Sequence, residues 1–108
     1  MLDATALILR WVQDAGGPEK ALVGDELVRS AVERQLLIIS EAAIRVSRIE
    51  GLEIDHIAPE IDWSGIRGIG NVLRHRYDDI NEEIIRLVVS DHLAALHDAV
   101  ARALERNR

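Results

Sequence analysis

The sequence predicts an all-α fold, an up-and-down bundle of four to five helices in one domain over residues 1–108. Three observations carry this. Apolar residues recur every three or four positions along most of the chain, the period of one helix face. The apolar mass, within a hydrophobic content of 48%, is Ala, Val, Ile and Leu, with no Phe and with Trp11, Trp63 and Tyr77 as the only aromatics. Gly and Pro, which interrupt helices, are confined to a few places. At 108 residues the chain is close to the size at which single domains with a modest core are common.

The first helix runs from Leu2 to about Asp14, with Ala4, Leu7, Ile8, Trp11 and Val12 on one side. Ala15-Gly16-Gly17-Pro18 stops it by ordinary turn chemistry. Gly24-Asp25 opens the next, Asp25 being placed to accept from the free N–H groups of the first turn. This helix, about Asp25 to Ile49, is the longest. Val28, Val32, Leu36, Ile39, Ala43 and Val46 form one apolar line, and Leu27, Ala31, Ile38 and Ala42 widen it. So broad a face implies burial on more than one side, at the centre of a bundle or at a dimer seam. Arg34, Glu41, Arg45 and Arg48 line the remaining stripe. Glu41 and Arg45 are an i, i+4 pair in the favourable orientation, so Glu41 reads as half of a surface ion pair or as a catalytic carboxylate.

Gly51 to Asp62 is the one extended irregular segment, with Pro59, a thin apolar scatter and an incidental His56. Asp62 or Ser64 can cap the helix that follows, and Trp63 can dock its start. Gly68 and Gly70 weaken that helix by about 1 kcal/mol each relative to Ala, or permit close approach of a second chain or a ligand. Asp78-Asp79 begin a short helix carrying Ile80, Ile84, Ile85 and Val88. Ser90 or Asp91 then reads as a break and cap before a last helix with Leu93, Leu96, Val100 and Leu104 on its apolar line. Arg102, Arg106 and Arg108 suit the C-terminal end of that helix. His92 and His97, five apart, fall on poorly matched faces and do not make a metal pair.

Composition narrows the function. The net charge of −6 counts against a long nucleic-acid track but not against a small local site. With no Cys there are no disulfides and no thiolate chemistry, which fits a reducing compartment. No basic start with an apolar core follows the first Met, and no apolar run is long enough to cross a bilayer. A cytoplasmic protein without membrane contact is expected.

One stretch departs from the acidic background. From Ser64 to Tyr77 there is no carboxylate, while Arg67, Arg74, Arg76 and His75 all fall inside it. Asp62 bounds this island on one side, and Asp78 and Asp79 on the other. A concentrated cationic patch with a histidine is a candidate site for a phosphate-bearing ligand. On a helix Arg67, Asn71 and His75 recur at four-residue steps and share a face. The plainer alternative is a solvated face with a capping histidine.

The run Gly70-Asn71-Val72-Leu73-Arg74-His75-Arg76-Tyr77 resembles the signature of the HepT-like toxins of the HEPN superfamily, small helical ribonucleases. Their motif is an arginine, a polar residue that is often Asn, a few more residues and then His-x-Tyr. The order of elements agrees too: Glu41-Ala42-Ala43 in a long apolar helix, a Pro-x-x-x-Trp approach from Pro59 to Trp63, then the motif. The resemblance covers nearly the whole chain. It implies a HEPN-like bundle and a metal-independent endoribonuclease toxin with a composite active site in a homodimer or higher homo-oligomer. RNA is then the substrate, a minimal nucleotidyltransferase the antitoxin partner, and no cofactor is required.

Carried onto these residues, the resemblance makes His75 the acid/base and Asn71 the polar residue that orients phosphate or partner. Tyr77 becomes the site at which the antitoxin attaches AMP, whose bulk and negative charge beside the histidine would repel RNA. One departure stands out: Gly70 occupies the place of the arginine that normally precedes the Asn. Arg67, with seven residues between it and the histidine instead of four to six, and Arg74, adjacent to the histidine, are the two substitutes in a catalytic role. The same departure leaves open a catalytically inactive helical binding module that partners a nucleotidyltransferase. A structural helical dimer with solvated arginines is the third possibility.

Overall fold

The computed structural model describes residues 1–75 and 78–106, and all regular structure among them is helical. In chain order the elements are α1 (Leu2–Ala15), α2 (Pro18–Leu22), α3 (Glu26–Ser47), α4 (Ile54–Ile57), α5 (Trp63–Arg74), α6 (Asp79–Leu87), a π-helical turn (Val88–His92) and α7 (Leu93–Arg106). Helix α3 packs on α1 and α5, α1 packs on α7, and α5 packs on α6. The bundle closes because α6, the π turn and α7 form one continuous helical run. This is the all-α, HEPN-like arrangement that the apolar spacing predicts.

The ends of the helices follow from local chemistry. Gly16 takes the left-handed conformation at φ 96°, and the Gly17 N–H reaches back to the Val12 carbonyl at 2.9 Å, a turn that only glycine makes without strain. Asp25 caps α3 by accepting from the Val28 N–H at 3.1 Å, and Asp78 caps α6 through the Ile80 N–H at 2.8 Å. Each such cap contributes about 1 kcal/mol. The core is aliphatic: Ile8, Leu36, Ile39, Leu93 and Leu96 are buried almost completely. Thr5, also buried, donates its one hydroxyl proton to the Leu2 carbonyl, so the His97 Nδ1 at 2.8 Å is the donor to Thr5. That contact fixes α1 against α7 and uses His97 in packing.

Several local expectations are corrected. The five residues of α2 are helical, in a stretch to which the sequence pattern assigns no element. They are too few for a period to register, but Pro18 at the first position suits a helix start, and Ala21 and Leu22 are buried. A single helical turn, α4, interrupts the segment expected to be irregular. No break or cap occurs at Ser90 or Asp91. The helical run continues through these residues as the π turn, with Ile85, Val89, Leu93 and Leu96 all buried. Leu27, at 82% exposure, and Leu104 do not join the core, since each lies in the terminal turn of its helix beyond the packed region. No helix among the described residues is long and apolar enough to cross a membrane.

Candidate functional site

The cationic island is mostly helix α5, and both of its ends are held. At the start Asp62, not Ser64, provides the cap, its Oδ1 accepting from the Gly65 N–H at 3.1 Å. Trp63 is 2% exposed and donates its indole N–H to the Ala58 carbonyl at 3.0 Å, so the docking expected of it is observed. In the middle, the Ser40 hydroxyl of α3 donates to the Arg67 carbonyl at 2.8 Å and accepts from the Gly70 N–H at 3.2 Å. Ser40 is buried, so these bonds fix the rotation of α5 on α3. At the far end His75 closes the helix, and its carbonyl accepts from the Asp78 N–H and the Asn81 side-chain amide, both at 3.0 Å.

This rotation sorts the candidate residues. Gly70 faces inward: a Cβ there would meet Leu37 Cδ1 at 3.5 Å and Ser40 Oγ at 3.6 Å, both ordinary contacts. The same Cβ would lie 3.8 Å from Arg74 Nη2. The Arg74 guanidinium therefore folds back over the position that lacks a side chain. Asn71, Arg74 and His75 are all exposed in the last turn of α5. Arg67 is placed differently. It is half-buried and lines a cleft of about 350 Å³ with Ser47 and His56, and it lies about 12 Å from His75 along the axis at 1.5 Å per residue. The structure brings Arg74, Asn71 and His75 together and leaves Arg67 at the opposite end.

Gly68 is open to solvent with nothing near its would-be Cβ, whereas Gly70 packs on α3 of its own chain. Glu41 is exposed, and the expected ion pair with Arg45 is not among the salt bridges of the described residues. His56 pairs with Glu53 one turn away on the surface. Among the described residues no cluster of three or more His, Asp or Glu side chains could hold a metal ion. Tyr77, the expected AMP-acceptor, and Arg76 and Arg108 lie outside the described residues.

Two positioning residues escape a reading of the sequence. Ser40 sits between apolar neighbours on α3, and its only signal is a hydroxyl on a buried face. Asn81 falls in the first turn of α6, where its side chain looks solvated, yet it holds the turn that presents His75.

A family model described as ribonuclease HepT-like matches residues 1–103. The chain belongs to the ribonuclease HepT-like family. At the level of the family, its activity is that of a toxin-like ribonuclease, and its members generally pair with nucleotidyltransferase antitoxins. Comparison with curated proteins and with solved structures gives no match. In this HepT-like chain Gly70 faces inward and the Arg74 side chain lies above it.

Proposed function

We propose that this chain is a single HepT-like domain acting as a metal-independent endoribonuclease toxin in the cytoplasm. Its active site forms between two copies, and a cognate nucleotidyltransferase silences it by attaching AMP to Tyr77. The observation that carries the proposal is the Arg74 guanidinium lying over Gly70, on the same exposed turn as Asn71 and His75. Arg74 supplies from position 74 the charge that Gly70 cannot.

In the reaction a His75 imidazole accepts the proton of the ribose 2′-hydroxyl as its oxygen attacks phosphorus. The new O2′–P bond forms while the P–O5′ bond breaks. A second, protonated imidazole gives its proton to the leaving 5′-oxygen. Arg74 stabilises the charge that builds on the non-bridging oxygens, and Asn71 orients the phosphate. One chain supplies one His75, so the acid and base roles together call for two chains.

The surface beside His75 supports a second copy as the occupant. Ile80, Ile84 and Leu87, spaced i, i+4, i+7 on α6, are exposed at 71%, 38% and 38%. Ile84 and Leu87 border an apolar groove of about 260 Å³ lined also by Ile61, Ile69 and Val72. An apolar stripe flanking a site that needs two protomers is where a symmetric contact completes it.

The binding-module alternative draws on Gly70 itself, which removes the usual motif arginine. Product analysis separates the two. Single-stranded RNA incubated with the purified protein in excess chelator is expected to yield 2′,3′-cyclic phosphate and 5′-hydroxyl ends. Intact RNA under those conditions would leave the module reading in its place.

A further inference from the structure

Among the described residues some arginines are held in ion pairs and others are not. Arg29 bonds Glu33 and Glu82, Arg86 pairs with Glu83, and Arg102 bonds Glu60. The hydrogen bond from Arg86 also holds the Glu83 carboxyl below its ordinary pKa. By contrast Arg34 and Arg45 on α3, Arg48 at its C-terminal cap, and Arg67 and Arg74 on α5 make no ion pair among the described residues. Four of these are exposed, and Arg67 is half-buried.

Backbone geometry puts these five on one side of the α3–α5 layer. Leu37 and Ser40 meet Gly70, and Ser47 shares a cleft with Arg67, so the two helices run antiparallel. From Ser40, which faces α5, positions 48, 34 and 45 lie about 80°, 120° and 140° around α3 at 100° per residue. From Gly70, which faces α3, Arg74, Arg67 and His75 lie about 40°, 60° and 140° around α5 in the same rotational sense. In an antiparallel pair, equal senses of rotation lead to the same side. Half-buried Leu37 and Ile44 floor the groove between them; Glu41 lies within this face, and Glu53 and Asp55 line the cleft beside Arg67.

We infer that this face is a binding track for the sugar–phosphate backbone of single-stranded RNA, running from His75 past Arg67 towards Arg45 and Arg48. Along α3 it spans about 21 Å between Arg34 and Arg48 at 1.5 Å per residue. Unpaired guanidinium groups keep their donors available for phosphate, and five of them gather on this side, whereas Arg29, Arg86 and Arg102 are already neutralised and the unpaired Arg10 and Arg106 stand apart on α1 and α7. The acidic remainder of the chain, at net −6, repels nucleic acid and confines it to this side. The track deepens the ribonuclease reading of His75 and rests on it for the identity of the strand.

The test is a salt titration of binding to a fluorescent 2′-O-methyl oligouridylate, which has no attacking hydroxyl and so reports binding alone. Arg45→Gln with Arg48→Gln removes two charges from the track. Arg10→Gln with Arg106→Gln removes two unpaired charges from α1 and α7 and serves as the control. The track predicts that the slope of log K against log salt shrinks by about 1.4 in the first pair, at 0.7 per phosphate contact, and holds in the control. Equal slopes in the two pairs, or a first pair that loses affinity for a nucleotidyltransferase partner but not for the oligonucleotide, overturn it. Failure of the ribonuclease reading looks different: natural RNA stays intact while the slope still changes.

Discussion

Arg74→Ala is expected to lower RNA cleavage about 10²- to 10³-fold, the usual loss when one donor to developing transition-state charge is removed. The fold stays intact, because Arg74 is exposed and makes no ion pair among the described residues. Single-turnover cleavage with circular dichroism checks both halves. Gly70→Arg in the Arg74→Ala background is expected to recover much of the loss. A Cβ at position 70 makes only ordinary contacts, and the shortened side chain at 74 clears the space into which the new arginine must emerge. If Arg67→Ala abolishes cleavage and Arg74→Ala does not, the charge comes from the cleft near Ser47 instead. If neither matters, the chain is a binding module.

The double change Ile80→Glu with Ile84→Glu is expected to give a folded monomer that does not cleave RNA. Both side chains are solvent-exposed in the single chain, Ile80 at 71%, so the core is undisturbed. In the dimer two carboxylates would be desolvated on each side of the seam, costing about 3 kcal/mol or more and raising the dimer Kd more than about a hundredfold. Sedimentation equilibrium reads the association, and the cleavage assay reads the composite site. A variant that remains dimeric places the second copy on another face. A monomer that still cleaves removes the need for two chains.

The helical class was legible because aliphatic spacing and the caps Asp25, Asp62 and Asp78 are local signals that the bundle then uses. The π turn was not, since Ser90-Asp91 reads as a cap and the spacing of Ile85, Val89, Leu93 and Leu96 fits an unbroken α-helix equally well. At the site, the exposure of Asn71 and His75 follows from the position of the motif on α5. The choice between Arg67 and Arg74 does not. Four-residue steps drift by about 40° on a helix of 3.6 residues per turn, so Arg67 and His75 end up well apart around the axis as well as along it. Only the Ser40 contacts, which come from a helix distant in sequence, set which way Gly70 faces and therefore what stands above it. Asn81 is legible only once its bond to the His75 carbonyl is seen.

The most direct measurement is cleavage of single-stranded RNA, with metal chelated, by the wild-type protein beside His75→Ala. His75 is exposed at the end of α5, and the carbonyl bonds that hold its turn are kept by Ala, so circular dichroism of the variant is expected to match the wild type. Cleavage by the wild type that falls at least about 10²- to 10⁴-fold in the variant is the predicted result, the range for losing a general acid or base. Equal cleavage by both proteins would contradict the central role given to His75.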